Sequence, residues 1–193
     1  MNQTIDFPSA ELAQEYIDKF DSNKELVMVE EVLSELFGKY PNNKELRDIL
    51  IKVSTLNSLY STQIYATIEM AKHIQELKID VRLQQGSPEI VNKIADITIK
   101  ERTRHNYSFA SKYCHWHQPD FYPVYDSYVD QLLWAYHNQL GFMDFQQAQL
   151  RQYPRYKEII EEFRKNYGLS QFNFRELDKF LWGYGKERFG NTQ

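Results

Sequence analysis

One cysteine, Cys114, occurs in 193 residues, which excludes an internal disulfide and any four-cysteine zinc or iron–sulfur site. No apolar run approaches the roughly 18 residues needed to span a membrane. The opening MNQTIDFPSAEL lacks the charged-then-apolar pattern of a secretory signal. A cytoplasmic protein with no membrane partner is the resulting expectation. Seven glycines and six prolines leave room for few hairpins, and no glycine stands between Ser87 and Leu140. The chain has no phosphate-cradling glycine loop, nucleophile elbow or H-E-x-x-H. It also lacks an excess of cations: with 23 Lys+Arg against 27 Asp+Glu the net charge is −4. That balance argues mildly against nucleic acid as a partner of the whole surface, because affinity for DNA comes largely from cations that displace condensed counterions.

What is present is apolar and periodic. Hydrophobic residues make up 42% and aromatics 15% of the chain, enough to fill the core of one domain of this length. A serine cap at Ser9 precedes Leu12, Tyr16 and Phe20 at helical spacing, and KELVMVEEVLSELFG ends at Gly38, a natural stop. Lys44–Val53 reads as a third helix. A long fourth begins after Ser54 and carries a polar cluster (Asn57, Ser58, Tyr60, Ser61, Thr62) near its start. Residues 79–87 read as linker or a short extended piece. Ser87-Pro88-Glu89 then opens a helix through EIVNKIADITI, with a capping serine, a proline at the first position and an acid beside the positive end of the dipole. Further helices are expected at Phe109–His117, capped by Ser108, and at SYVDQLLWAYHNQL up to Gly141. Two more follow, from Pro154 to Gly168 and from a cap at Asn173 or nearby onward. The fold class expected is all-α, a single domain of about nine to ten helices.

Charge is uneven along this plan. Between Lys93 and His117 five cations (Lys93, Lys100, Arg102, Arg104, Lys112) face two anions (Asp96, Glu101), with three histidines besides. A local basic face on an acidic protein follows. The densest stretch is Asn106–Val129, NYSFASKYCHWHQPDFYPVYDSYV. Phe109, Tyr113 and Trp116 form the buried stripe of its helix, and Lys112 lies at the edge of that stripe. An amine held against aromatic surface loses some preference for its charged form and gains nucleophilicity. Pro123-Val124-Tyr125-Asp126 then brings a carboxylate to the start of the next helix. From spacing alone, Lys112 is a lysine that snorkels to water and Asp126 is a helix N-cap.

The run of helix, hairpin, helix with Ser111-Lys112, then Pro123-Val124-Tyr125-Asp126, resembles the helix-hairpin-helix DNA glycosylase superfamily, in its 8-oxoguanine glycosylase-like branch. The resemblance implies a helix-hairpin-helix at about Ser87–His117, with Lys112 as the catalytic nucleophile and Asp126 as its electrostatic partner. It implies excision of a damaged base, such as an oxidised purine, through a lysine Schiff base, with no cofactor. The substrate would be damaged duplex DNA, and the protein a monomer. Enzymes of this class extrude the target nucleotide, since its anomeric carbon is inaccessible inside the duplex. Asn57 and Tyr60 would line the substrate groove. Trp116, Tyr125 or Tyr60 would stack on the extruded base, and His115 would tune the pocket.

Lys100, Arg102, Arg104, His105 and Asn106 of the hairpin KERTRHNY would contact DNA. The family's glycine-rich turn, which brings backbone amides up to a phosphate, is missing from this hairpin. Either phosphate contact passes to cationic side chains or the DNA-binding role is lost. The alternatives on the same fold are a non-catalytic DNA-binding module and a protein-interaction scaffold. His115 and His117, two residues apart, point about 200° apart on a helix, so no metal site is expected there. Cys114 reads as a small core residue.

Overall fold

Ser9 accepts a hydrogen bond from the Leu12 amide at 3.2 Å and starts α1 (Ala10–Asp21). Asn173 does the same for the last helix, α10 (Phe174–Phe189), where Glu176 completes a capping box. Between them lie α2 (Lys24–Lys39), α3 (Leu46–Tyr60), α4 (Thr67–Leu77), α5 (Asp80–Gln84) and α6 (Glu89–Ala95). A two-stranded ribbon, β1 (Asp96–Ile99) and β2 (Arg102–His105), follows. Next come α7 (Tyr107–His117), α8 (Ser127–Leu140), a 3-10 turn at Gln147–Arg151 and α9 (Tyr153–Asn166). The computed structural model describes residues 4–190. Among them there are ten α-helices and one small sheet, so the fold is all-α. None of these helices is long and apolar enough to cross a membrane.

The chain divides into two compact units, one from Met1–Lys24 with Pro123–Gln193 and the other from Glu25–Tyr122. In the first, α10 lies against α1 and α8. Tyr16, Ile17, Leu132, Leu133, Tyr136, Phe180 and Tyr184 are buried there. The approach of α10 to α8 is close at Gly185, where an added Cβ would sit 2.7 Å from the Tyr128 carbonyl oxygen. Asp126 begins α8 as its N-cap, accepting from the Tyr128 amide at 3.0 Å.

In the second unit α3 lies against α4, and α7 against α3 and α6. Its core holds Leu33, Phe37, Ile49, Val53, Leu56, Met70, Ile74, Ile90 and Ile94 around α7. Only one stripe of α7 was expected inside, yet every residue from Phe109 to Trp116 is buried. Ser111, Lys112 and His115 are therefore carried into the interior with the aromatics.

Three local expectations are corrected in this unit. The helix opened by Pro88 stops at Ala95 instead of running on through Ile99. Asp96–Ile99 pairs antiparallel with Arg102–His105, Ile97 opposite Arg104 and Thr98 opposite Thr103, because three β-branched residues in succession favour a pleated surface once a partner strand is at hand. The two-residue turn, Lys100-Glu101, has φ of 47° and 66°. Both positive values suit the mirror-image turn that matches strand twist, at a cost of about 1 kcal/mol each for residues with a Cβ.

The break expected at Ser54 falls instead at residues 61–66, and the polar cluster from Asn57 lies at the C-terminal end of α3, not at a helix start. Asn57 imposes that break, its Oδ1 accepting from Thr62 Oγ1 and the Ile64 amide while its Nδ2 donates to the Ile64 carbonyl. Finally, α7 begins at Tyr107 with Asn106 in the cap position, so Ser108 sits inside its first turn.

Candidate functional site

Three segments of the second unit meet around the first half of α7. The first is the end of α3 with the loop after it, the second is the ribbon, and the third is the turn of α7 carrying Ser108 and Lys112. Lys112 is 4% exposed. Its ammonium donates to Ser108 Oγ at 2.7 Å and lies 5.3 Å from the centre of the Tyr60 ring. Ser111, beside it, is turned back on the helix and donates to the Ser108 carbonyl. A lysine so deep is seldom a snorkelling one; this one is gripped by a hydroxyl one turn earlier and by an aromatic face from another helix.

The ribbon stands beside this point with its cations outward. Lys100, Arg102, Arg104 and His105 are all exposed. The Arg104 guanidinium lies 6.0 Å from the ring centre of Tyr65, in the loop after α3. His105 hydrogen-bonds Asp96 at 2.6 Å and stacks on Tyr107 at 5.4 Å. On that same face Thr98 and Thr103 hydroxyls meet at 3.0 Å. The Asn106 amide donates to the Ala95 carbonyl and closes the ribbon at its base. Asn106 thus acts through its backbone in joining α6 to α7.

The other candidate residues have structural partners. His115 is 2% exposed and its Nδ1–H donates to the Tyr122 carbonyl at 2.8 Å, which fixes the chain leaving α7. Trp116 is buried with Phe37 at 6.4 Å. Asn57 supports the loop through the three bonds described above. Tyr125 and Asp126 belong to the other unit, where Tyr125 donates to Asp130 at 2.8 Å and Asp126 caps α8. Burial pushes the Cys114 thiol up, so it is an inert core group.

One buried cluster has no counterpart in the sequence reading. Lys52 is fully buried, and its ammonium donates to the Tyr40 and Asn42 carbonyls and to Asn43 Oδ1, each at 2.9 Å. Nε2 of His117 lies 3.2 Å away as a fourth acceptor. Asn43 donates through its amide and side chain to Asp80, and Tyr113 donates to the same Asn43 Oδ1. Burial pulls the Lys52 ammonium down to about 8, against opposing attraction from Asp80 and Asp48. Burial first, and the Lys52 charge second, hold His117 well below its usual range, in the neutral form that can accept. The signal was legible: Lys52 occupies the buried stripe of Ile49, Val53 and Leu56. A lysine there has to bring its acceptors with it. This cluster ties the turn before α3 to α5 and α7.

The sequence profile of the HI_0787_N family, described as an N-terminal domain, matches residues 12–121. The chain belongs to this family. An uncharacterised protein of Haemophilus influenzae (strain Rd) is 36% identical over 187 residues, covering 93% of this chain and 90% of that one. No solved structure matches. The family's span takes in Asn57, Tyr60, the ribbon, Lys112 and the Lys52 cluster, and ends one residue before the second unit does. Tyr125 and Asp126 lie outside it.

Proposed function

We propose that this protein acts on DNA in the manner of a helix-hairpin-helix glycosylase, with Lys112 as the nucleophile. The observation that carries the reading is the lysine itself: 4% exposed, on the helix that follows an exposed cationic ribbon, with its amine held between Ser108 Oγ and the face of Tyr60. Carrying an amine into the interior costs stability, and function is a common reason to retain one.

In its neutral form the amine attacks C1′ of an extruded nucleotide. The nitrogen lone pair forms the N–C1′ bond as the glycosidic bond breaks, and the base departs with the bonding electrons and takes up a proton. Loss of a proton from nitrogen and opening of the C1′–O4′ bond give the Schiff base, with O4′ protonated. Ser108 orients the amine, and Tyr60 offers its π face to the cationic nitrogen. The ribbon supplies the phosphate contacts. On the sequence resemblance the carboxylate of Asp126 supplies the charge that steadies the developing sugar cation.

Borohydride reduction tests this directly. The unmodified protein is trapped on an abasic duplex and Lys112→Gln is not; failure to trap the unmodified protein refutes the lysine chemistry. A second reading, a DNA-binding module without chemistry, is favoured by the contrast between the outward cations of the ribbon and the enclosed Lys112. Salt-dependent binding that Lys112→Gln leaves unchanged, without base release, selects it.

A further inference from the structure

Tyr65 is the most exposed of the large apolar side chains among the described residues, at 80%. It is not on a slack loop. The connection from α3 to α4 is tied to α3 by three side-chain bonds of Asn57, and Ser61 and Gln63 hold positive φ of 50° and 60° to make the turn. Ile64, its neighbour, is buried as the anchor, 5% exposed. The fold thus meets the cost of two left-handed residues in order to hold an aromatic ring in water. Leu59 and Ile68 flank the loop and are exposed too, at 38% and 51%.

What stands beside the ring identifies the chemistry of its partner. Arg104 lies over it at 6.0 Å. By strand alternation Arg102 and Arg104 share one face of the ribbon, with Lys100 at the tip. The acids of the ribbon are Asp96, which is held by His105, and Glu101 at the turn. A rigidly presented tyrosine with Arg104 over its ring, and Arg102 on the same face of the ribbon, offers a π surface together with positive charge. An acidic or apolar peptide would use only half of that pair, whereas a nucleotide uses both: its base stacks and its phosphate meets the guanidinium.

We propose that Tyr65 is a stacking platform for an unpaired nucleobase, with Arg102 and Arg104 holding the phosphates beside it. The site takes single-stranded or locally opened nucleic acid without reading its sequence, since every base has a π face. This rests on the proposed nucleic-acid partner, but not on the chemistry at Lys112.

The test is fluorescence anisotropy of a short labelled oligothymidylate over a salt series, with the full chain, Tyr65→Ala, Tyr65→Phe and Arg104→Gln. Circular dichroism confirms that each variant is folded. Tyr65→Ala weakens binding by about 5- to 150-fold at each salt concentration, the range for one stacked base. Tyr65→Phe stays within roughly twofold, and Arg104→Gln lowers the salt slope by about 0.7, as loss of one phosphate contact to a single strand requires. Binding by Tyr65→Ala equal to that of the unmodified chain overturns the proposal, as does failure of the unmodified chain to bind at all. Binding that depends on Tyr65 in a protein that cannot be trapped on abasic DNA upholds it, while the lysine chemistry alone falls.

Discussion

The Lys52 ammonium lies 3.2 Å from Nε2 of His117, so a charged donor and a neutral imidazole share one buried contact. Burial first, and the Lys52 charge second, keep the imidazole neutral. The imidazole is an acceptor only while neutral, and a proton on it would place two cations together beneath the turn at Tyr40–Asn43.

Lys52 makes stability rise with alkaline pH. Its folded value is about 8 against an ordinary 10.5, so between these limits the unfolded chain binds more protons than the folded one, and folding gains as pH increases. The gain from pH 8 to pH 10 is about 2 kcal/mol for a shift of this size. Tyrosines and Cys114 titrate in the opposite sense, since burial raises them. The measurement is therefore the difference between the unmodified protein and Lys52→Met in urea unfolding across this window. Parallel stability curves would refute the buried charge.

His117 acts at the acid end. Its folded value lies well below 6.5. The unfolded chain takes up a proton as pH falls through 6.5 while the folded one does not, so stability is lost below that pH. Lowering the pH from 7 to 5 therefore destabilises the folded chain through this group. His117→Gln keeps an acceptor for Lys52 without titrating, and its stability falls correspondingly less over the same range. An equal fall in both proteins would show that the imidazole protonates freely in the folded state.

Asp126 has a structural duty that is separable from any chemistry. As the N-cap of α8 it accepts from the Tyr128 amide. Loss of the cap in Asp126→Ala therefore costs about 1 kcal/mol, and Asp126→Asn, which caps as well, costs less. Chemical unfolding of both variants checks this. Equal losses would mean that the charge, not the cap, holds the helix end.

Much of the helical frame was legible because its signals are local. Ser9, Asn173, Pro154 and Gly141 each determine a helix end by what the residue itself can bond or which φ it can adopt, and each lies where the sequence placed it. The ribbon was hidden because Ile90, Ile94 and Ile97 keep helical spacing right through its first strand. What decides for strand is pairing with Arg102–His105, and the turn that permits it has no glycine to announce it. The break after α3 was missed for a similar reason, since it depends on Asn57 reaching across seven residues to Ile64.

At the candidate site the motif singles out Lys112, but the sequence does not show its depth. Lys112 was expected at the rim of an aromatic stripe, and burial of α7 on all its faces brings it inside. Tyr65 carries no sequence pattern at all. The stacking role proposed for it rests on loop geometry and on Arg104, 39 positions away along the chain.

The most direct measurement is trapping of the protein on an abasic oligonucleotide duplex with sodium borohydride, followed by mass spectrometry of the cross-linked peptide. A covalent adduct is expected on Lys112 and disappears in a folded Lys112→Gln variant. Absence of any adduct with the unmodified protein, or an adduct on a different lysine that survives Lys112→Gln, would contradict the lysine chemistry.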